Sequence, residues 1–159
     1  MTSIYLAIKI HSKKKMTMQN IVSTGNGAIT VPQIERMELD IMQCLDWKLS
    51  PPTPVSFIAN FVPLICVHLE DTEVERITEE AAFFAELSVC MYLFNFVKPS
   101  SIAVASILCG LESLRLPDSE KVILDFKAAV HKATGLDANA KGVQRCERIL
   151  RELQLQAAT

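Results

Sequence analysis

Apolar residues along this chain recur at spacings of three and four positions, the spacing of one face of an α-helix. The alternation of apolar and polar residues that is typical of a half-buried strand is almost absent. The low glycine content, 5 of 159 residues, also favours long helices over a turn-rich sheet protein. The pattern therefore predicts an all-α fold.

The N-terminal part of the chain predicts three helical segments. Ser3 to His11 is an apolar helix, Met16 to Val22 has the length of two helical turns, and Ser23 to Gly27 is a loop. Thr30 and Gln33 have the spacing of a capping box, in which each side chain bonds the backbone of the other residue, so a third helix begins there. The predicted apolar face of this helix consists of Ile34, Met37, Ile41 and Leu45.

A proline-rich stretch divides the chain. Pro51, Pro52 and Pro54 end the third helix, because proline lacks the N–H group that a helix interior requires. They also stiffen the segment that follows, so we expect a domain boundary here. The sequence thus predicts an N-terminal portion over residues 1–49, a linker over 50–54, a C-terminal domain over 55–155 and a tail over 156–159.

Five helical segments are predicted after the linker. The first covers Val55 to Ile65, and the second opens at a capping box of Thr72 and Glu75 and runs to about Phe94. The third starts at Pro99 and is apolar on several faces, so it and the second helix are expected at the buried centre. The apolar faces of the last two are Val122, Phe126, Val130 and Ala133, ahead of a stop at Gly135, and then Val143, Cys146, Leu150 and Leu153.

The charge balance argues against two classes of partner. With 16 basic and 18 acidic residues, the chain has no basic footprint for nucleic acid or a membrane surface. Its most apolar stretch, Ala81 to Val97, contains Glu86 and falls short of the ~20 apolar residues of a membrane span. No secretory signal follows Met1, and the basic run Lys13 to Lys15 is either a solvated loop or a localisation signal. We expect a soluble, intracellular protein of the nucleus, the cytoplasm or both.

The cysteines and histidines form no convincing catalytic or metal-binding pattern. Cys66 and His68 are the only close Cys/His pair, and a zinc site needs a second pair. An enzyme that uses these two residues stays open as an alternative, but only because cysteine and histidine are residue types that occur in nucleophilic sites. Gly25 to Gly27 lacks the Gly-Lys-Ser/Thr of a phosphate-binding loop. We expect no metal, cofactor or small-molecule ligand, and buried free thiols typical of a reducing compartment at Cys44, Cys66, Cys90, Cys109 and Cys146.

Several segments resemble the cyclin family. They are Tyr5 to Ile10 (YLAIKI) and Ile34 to Leu39 (IERMEL). The stretch Leu45 to Pro54 (LDWKLSPPTP) resembles the junction between the two cyclin boxes, and Ser100 to Leu114 resembles the third helix of the second box. The resemblance spans nearly the whole chain. It implies that residues 1–49 are the end of the third helix, then the fourth and fifth helices, of a first box, and that a complete second box of five helices follows.

The resemblance also implies a function, the binding and activation of a cyclin-dependent protein kinase in cell-cycle control. Lys9 and Glu38 match the family positions that bind the kinase helix near its catalytic cleft. A Lys ammonium can bind the carbonyls at a helix C-terminus, and a Glu carboxylate can accept bonds from unpaired backbone N–H groups. In the family, apolar residues flank this pair at the interface, and the matching residues here are Leu6, Ile10, Met42, Trp47 and Leu49.

Two alternatives stay open beside this interpretation. In the first, Lys9 and Glu38 are ordinary exposed charges and Trp47 fills the junction between the boxes. In the second, the chain is a helical adaptor that activates no kinase, or it is an internal part of a longer protein. The reason is that no residues of this chain match the first two helices and most of the third helix of the first box. That loss removes the family's substrate-docking surface and is expected to expose Ile4, Ile8 and Ile41.

Overall fold

A computed structural model describes residues 1–13, 16–65, 69–114, 116 and 118–157. Every regular element in this part of the chain is a helix, which confirms the all-α prediction. The chain forms two compact units, Met1–Pro51 (unit one) and Pro52–Thr159 (unit two). Residues outside the described part include several of those discussed above, namely Lys14, Lys15, Cys66 and His68.

Unit one contains α1 (Thr2–His11), α2 (Met18–Thr24) and α3 (Val31–Cys44). The prediction of a loop over Ser23 to Gly27 was wrong at its start, because Ser23 and Thr24 belong to α2. Their hydroxyl groups donate to the Asn20 carbonyl at 2.9 and 2.8 Å, so both polar side chains are satisfied within the helix. The sequence does not indicate whether a serine or threonine hydroxyl will donate to a carbonyl group of its own helix.

The start of α3 agrees with the predicted capping box. The Thr30 N–H donates to Gln33 Oε1 at 2.9 Å, and the helix begins at the next residue. Of the predicted apolar face, Ile34 is fully buried, whereas Met37 and Leu45 are each about half exposed. The first turn of α3 therefore anchors the helix, and the later turns leave apolar side chains open.

The buried core of unit one is small. In the described residues it is a cluster of Tyr5, Ile21 and Ile34, one from each helix. Ile4, on α1, is 65% exposed, in agreement with the exposure expected from the sequence. Ile8 and Ile41 are partly buried, so the exposure expected for these two residues is incomplete.

The described residues of unit two form five α-helices and two short 3₁₀ turns. The 3₁₀ turns are Val62–Leu64 and Tyr92–Phe96. The α-helices are α4 (Pro54–Phe61), α5 (Asp71–Val89), α6 (Pro99–Leu114), α7 (Ser119–Thr134) and α8 (Lys141–Ala157). Thr53 opens α4, where its Oγ1 accepts from the Ser56 N–H at 3.2 Å. At the other end of the chain, α8 continues two residues into the expected tail.

The prediction for α5 was wrong at both ends. Its N-cap is Glu70 rather than Thr72, and Glu73 Oε2 accepts from the Glu70 N–H at 3.1 Å. Carboxylates here also favour the positive end of the helix dipole. The helix stops at Val89 instead of continuing to Phe94, because the next two N–H groups bond only three residues back and tighten the last turn.

The centre of unit two is α6. All ten residues from Ile102 to Leu111 are buried, whereas α5 buries one face and exposes 41% of Phe83 on another. The two helices approach closely at Gly110, where an added Cβ would lie 3.2 Å from the Ala81 backbone nitrogen. The buried centre was predicted to include both helices. In the structure it is α6, and α5 is buried on one face only.

The last two helices pack their predicted apolar faces with one exception. Phe126 and Val130 of α7 are fully buried, and Val143, Cys146 and Leu150 of α8 are buried as well. Ala133 is exposed, because α7 ends one residue later and its last turn extends beyond the core. Gly135 ends α7 in the left-handed conformation, with φ of 72°, as predicted.

The prediction that every cysteine is buried was wrong for two of the four described ones. Cys109 and Cys146 are buried, whereas Cys44 and Cys90 are exposed at the C-terminal ends of α3 and α5. Burial raises the pKa of Cys109 to about 12 and also raises the pKa of Cys146. Apolar neighbours in sequence do not bury a side chain at a helix end, where the turn that follows decides its surroundings.

We expect alkylation to separate these cysteines into two classes. In a Cys66→Ser background at pH 8, iodoacetamide should modify Cys44 and Cys90 within minutes, because both are accessible. With its raised pKa, Cys109 has a thiolate fraction on the order of 10⁻⁴ at this pH and should react only in denaturant. Mass spectrometry of timed digests measures this, and equal rates for the four residues would contradict the structure.

Candidate partner-binding site

The residues that the sequence marks as a binding pair meet on one surface of unit one. Lys9 lies in the last turn of α1 and Glu38 in the middle of α3, and Lys9 Nζ is 2.6 Å from Glu38 Oε1. The Lys9 side chain is 53% exposed and that of Glu38 is 15% exposed. The ammonium group is therefore presented to solvent above a carboxylate that is largely covered.

A third residue, Tyr5, holds the ammonium from another side. It lies one turn before Lys9 on α1, and Lys9 Nζ is 5.7 Å from the centroid of its ring. This is within the range of a cation–π interaction. The ring is buried in the core of unit one, so the position of the cation is tied to that core. The sequence analysis missed this contact, although the spacing of four residues on a helix was a usable signal.

The ion pair affects the ionisation of Lys9. Its hydrogen bond to Glu38 raises the pKa of the ammonium above its ordinary value, against a smaller opposing effect of burial. Because the folded-state pKa is raised, the stabilisation is fully present below the unfolded-state pKa of about 10.4 and is lost as the pH rises through the folded value. The Lys9 ammonium is therefore charged throughout the physiological range.

The predicted apolar neighbours of the pair differ in exposure. Trp47 is 61% exposed and Ile10 is 38% exposed, while Met42 and Leu49 are partly buried. Leu6 is only 5% exposed, so its side chain offers almost no surface. Leu6 follows Tyr5 on the covered side of α1, and this side could not be distinguished from the exposed side in the sequence.

The turn after α3 sets the direction of Trp47. Asp46 and Trp47 both have left-handed backbones, with φ of 50° and 59°. The Trp47 N–H donates to the Met42 carbonyl at 2.9 Å, which closes the turn. Left-handed geometry at a residue other than glycine costs on the order of 1 kcal/mol, and such residues cluster at functional sites. The conformation of this turn could not be predicted from its sequence.

Comparison with known proteins identifies the family. A family model described as the cyclin C-terminal domain matches residues 52–159, and one described as the cyclin N-terminal domain matches residues 1–50. The chain belongs to the cyclin family. The part of this cyclin that carries Lys9, Glu38 and Trp47 is thus the part that matches the N-terminal domain.

Curated relatives of this cyclin come from plants, fungi and animals. It is 27% identical over 146 residues to G2/mitotic-specific cyclin-2 of Antirrhinum majus, covering 79% of this chain and 32% of that protein. It is 29% identical over 105 residues to S-phase entry cyclin-6 of Saccharomyces cerevisiae, covering 66% and 26%. It is 25% identical over 124 residues to G1/S-specific cyclin-D1 of Danio rerio, covering 77% and 41%. The chain thus spans about a quarter to two-fifths of the length of these relatives.

The described part of this cyclin contains neither a group of metal-binding side chains nor a helix that could cross a membrane. Within residues 1–13, 16–65, 69–114, 116 and 118–157, no three His, Cys, Asp or Glu side chains are grouped so that they could hold a metal ion. Over the same ranges, no helix combines the length and the apolar character needed to cross a membrane. The two histidines described, His11 and His131, lie in the last turns of α1 and α7.

Proposed function

We propose that this cyclin chain binds a cyclin-dependent serine/threonine kinase and activates it in cell-cycle control. The observation that carries the proposal is the Lys9–Glu38 ion pair, which is 2.6 Å long and lies at the surface of unit one, where Trp47 is also exposed. These are the residues that the family resemblance assigns to kinase contact. The names of the relatives refer to G2 and mitosis, to entry into S phase and to the G1/S stage, which supports a role in the cell cycle.

The ion pair leaves hydrogen-bonding capacity for a partner. The Lys9 ammonium has three N–H donors, and one of them donates to Glu38. Two donors therefore remain for carbonyl groups at the end of a partner helix. Glu38 keeps its second carboxylate oxygen as an acceptor for backbone N–H groups. Held by each other and by the Tyr5 ring, the two charges lose little side-chain freedom when a partner binds.

Apolar side chains would supply the second part of the contact. Trp47 and Ile10 are exposed and Met42 is partly buried, and indole rings are frequent anchors of protein interfaces. Leu6 does not belong to the proposed contact because it is buried. The proposed interface therefore consists of a central ion pair with apolar side chains from the end of α1, from α3 and from the turn that follows.

Activation would act through the conformation of the kinase. A protein kinase is active when a lysine on its small lobe pairs with a glutamate on a mobile helix, which requires that helix to be turned inward. A regulator that binds the inward state more tightly shifts the population toward it. A change from 1:99 to 99:1 requires a preference of about 10⁴-fold. In this scheme all catalytic groups belong to the kinase.

The test is to titrate the purified chain into a panel of cyclin-dependent kinases and to measure binding and peptide phosphorylation. We expect at least one kinase to bind and to gain activity. Trp47→Ala should weaken that binding about 30-fold, the effect of losing an interface anchor worth ~2 kcal/mol. The matched control is Tyr92→Ala, which removes a similarly exposed aromatic ring, 73% exposed, from unit two and should leave binding unchanged.

The outcomes of this test separate the proposed function from its alternative. Binding without a gain in activity would support the adaptor function instead. If no kinase in the panel binds, or if Trp47→Ala and Tyr92→Ala have equal effects, then the proposed interface is wrong.

A further inference from the structure

A second surface, in unit two, has the features of a binding groove. It lies between the turn Tyr92–Phe96, the start of α6 and the first half of α8, and its volume is about 390 Å³. Phe94 and Cys146 are buried at its base, and Ile149 is partly buried beside them. On the rim, Leu93 and Phe96 are 48% and 76% exposed. The groove is therefore apolar inside and open to solvent.

The border of this groove is positively charged. Lys98 and Arg145 both line it, both are exposed, and neither forms an ion pair with any residue in the described part of the chain. Lys141 and Arg148 lie four residues before and three residues after Arg145, on the same side of α8. Within α8, the acidic residue that continues this spacing is Glu152, one turn beyond Arg148. A chain with a net charge of −2 thus has a local excess of positive charge here.

We propose that this groove binds a segment of a partner protein that carries a bulky apolar side chain next to Asp or Glu residues. The apolar side chain would lie against Phe96 and Ile149, and the carboxylates would pair with Lys98 and Arg145. Charge complementarity selects this occupant, because two unpaired cations beside an apolar groove disfavour a basic or purely apolar segment. The proposal does not rest on kinase binding, since every residue involved belongs to unit two.

One residue of the groove allows it to be filled without disturbing the fold. Gly142 lines the groove in the first turn of α8, and a Cβ added there meets no atom within 4 Å. A leucine at this position would therefore occupy the groove rather than the core. Leucine is also a better helix former than glycine. Gly142→Leu should block binding while the melting temperature stays equal or rises.

The experiment selects peptides from a random displayed library on the immobilised full chain and measures the affinity of the most enriched sequence by fluorescence anisotropy. We expect enrichment of Leu, Phe or Met beside Asp and Glu. Arg145→Glu and Gly142→Leu should each weaken binding at least about tenfold, a loss typical of one well-placed contact. The control Lys121→Glu, which reverses an exposed charge at the start of α7 outside the groove, should not change the affinity.

Three results would overturn the proposal. The first is that no sequence is enriched. The second is that the enriched peptide binds Arg145→Glu and Gly142→Leu as tightly as it binds the unmodified chain. The third is that acidic peptides without an apolar residue bind equally well and lose affinity steeply with salt, since binding would then be electrostatic attraction without a groove.

Discussion

Replacing Phe126 with alanine is expected to lower the free energy of unfolding of unit two by about 3–5 kcal/mol. The Phe126 ring is fully buried on α7 within the core of that unit, so its removal forfeits the burial and leaves a cavity. Since a domain is stable by only about 5–15 kcal/mol, this single change should bring unit two close to unfolding at physiological temperature. Urea denaturation followed by far-ultraviolet circular dichroism measures the change.

The same helix supplies the control. Leu124 is 67% exposed on α7, two residues before Phe126, and Leu124→Ala should change the free energy of unfolding by no more than about 0.5 kcal/mol. Alanine and leucine are both strong helix formers, so the control does not disturb the helix itself. Equal losses for the two variants would mean that α7 does not pack on the core as described.

Exchanging the charges of Lys9 and Glu38 is expected to weaken kinase binding strongly while leaving the fold intact. Lys9→Glu or Glu38→Lys alone should cost about 2–5 kcal/mol of binding free energy, the range for breaking a charge pair at an interface. The effect on unfolding should be smaller for Lys9→Glu than for Glu38→Lys, because Lys9 is about half exposed whereas Glu38 is largely covered. Calorimetric titration with the bound kinase and thermal melting measure the two quantities.

The double exchange, Lys9→Glu with Glu38→Lys, separates two roles of the pair. It restores an ion pair between α1 and α3, but it presents the opposite polarity to the partner. If the charges contact the kinase directly, the double variant should bind as weakly as the single ones. Recovery of binding would mean that the pair only positions the helices. Glu112→Lys, which reverses the carboxylate paired at 2.7 Å to Arg151 in unit two, is the control and should not alter binding.

The features of this protein that can be predicted from its sequence are those that depend on residues close together in the chain. The start of α3 follows from Thr30 and Gln33, because the two side chains and the backbone that they cap lie within one turn. The end of α7 follows from Gly135 for the same reason, since the left-handed stop needs no distant contact. The burial of α6 could be predicted because its residues are small or apolar on every face.

What the sequence could not predict depends on distant parts of the chain. The sequence pattern for a helix start, Ser or Thr followed three residues later by Glu, fits Thr72 and Glu75, whereas α5 begins at Glu70 with Glu73 in the matching position. Leu6 is buried while Ile10, one turn later, is exposed, because only the arrangement of the helices decides how far the covered surface of α1 extends. In the candidate site, residue types indicated Lys9 and Glu38, but their distance and the Tyr5 ring required the fold.

The small core of unit one has a consequence for how this cyclin persists in a cell. Tyr5, Ile21 and Ile34 bury little apolar surface, so local opening of α1 to α3 should need much less free energy than opening of unit two. A ligand that binds the closed form stabilises it by mass action. Chaperones and proteases act on the open form, and small changes in its population alter protein abundance. With the kinase proposed above as that ligand, the lifetime of this cyclin should follow the concentration of the kinase, and excess unbound chains should be degraded first.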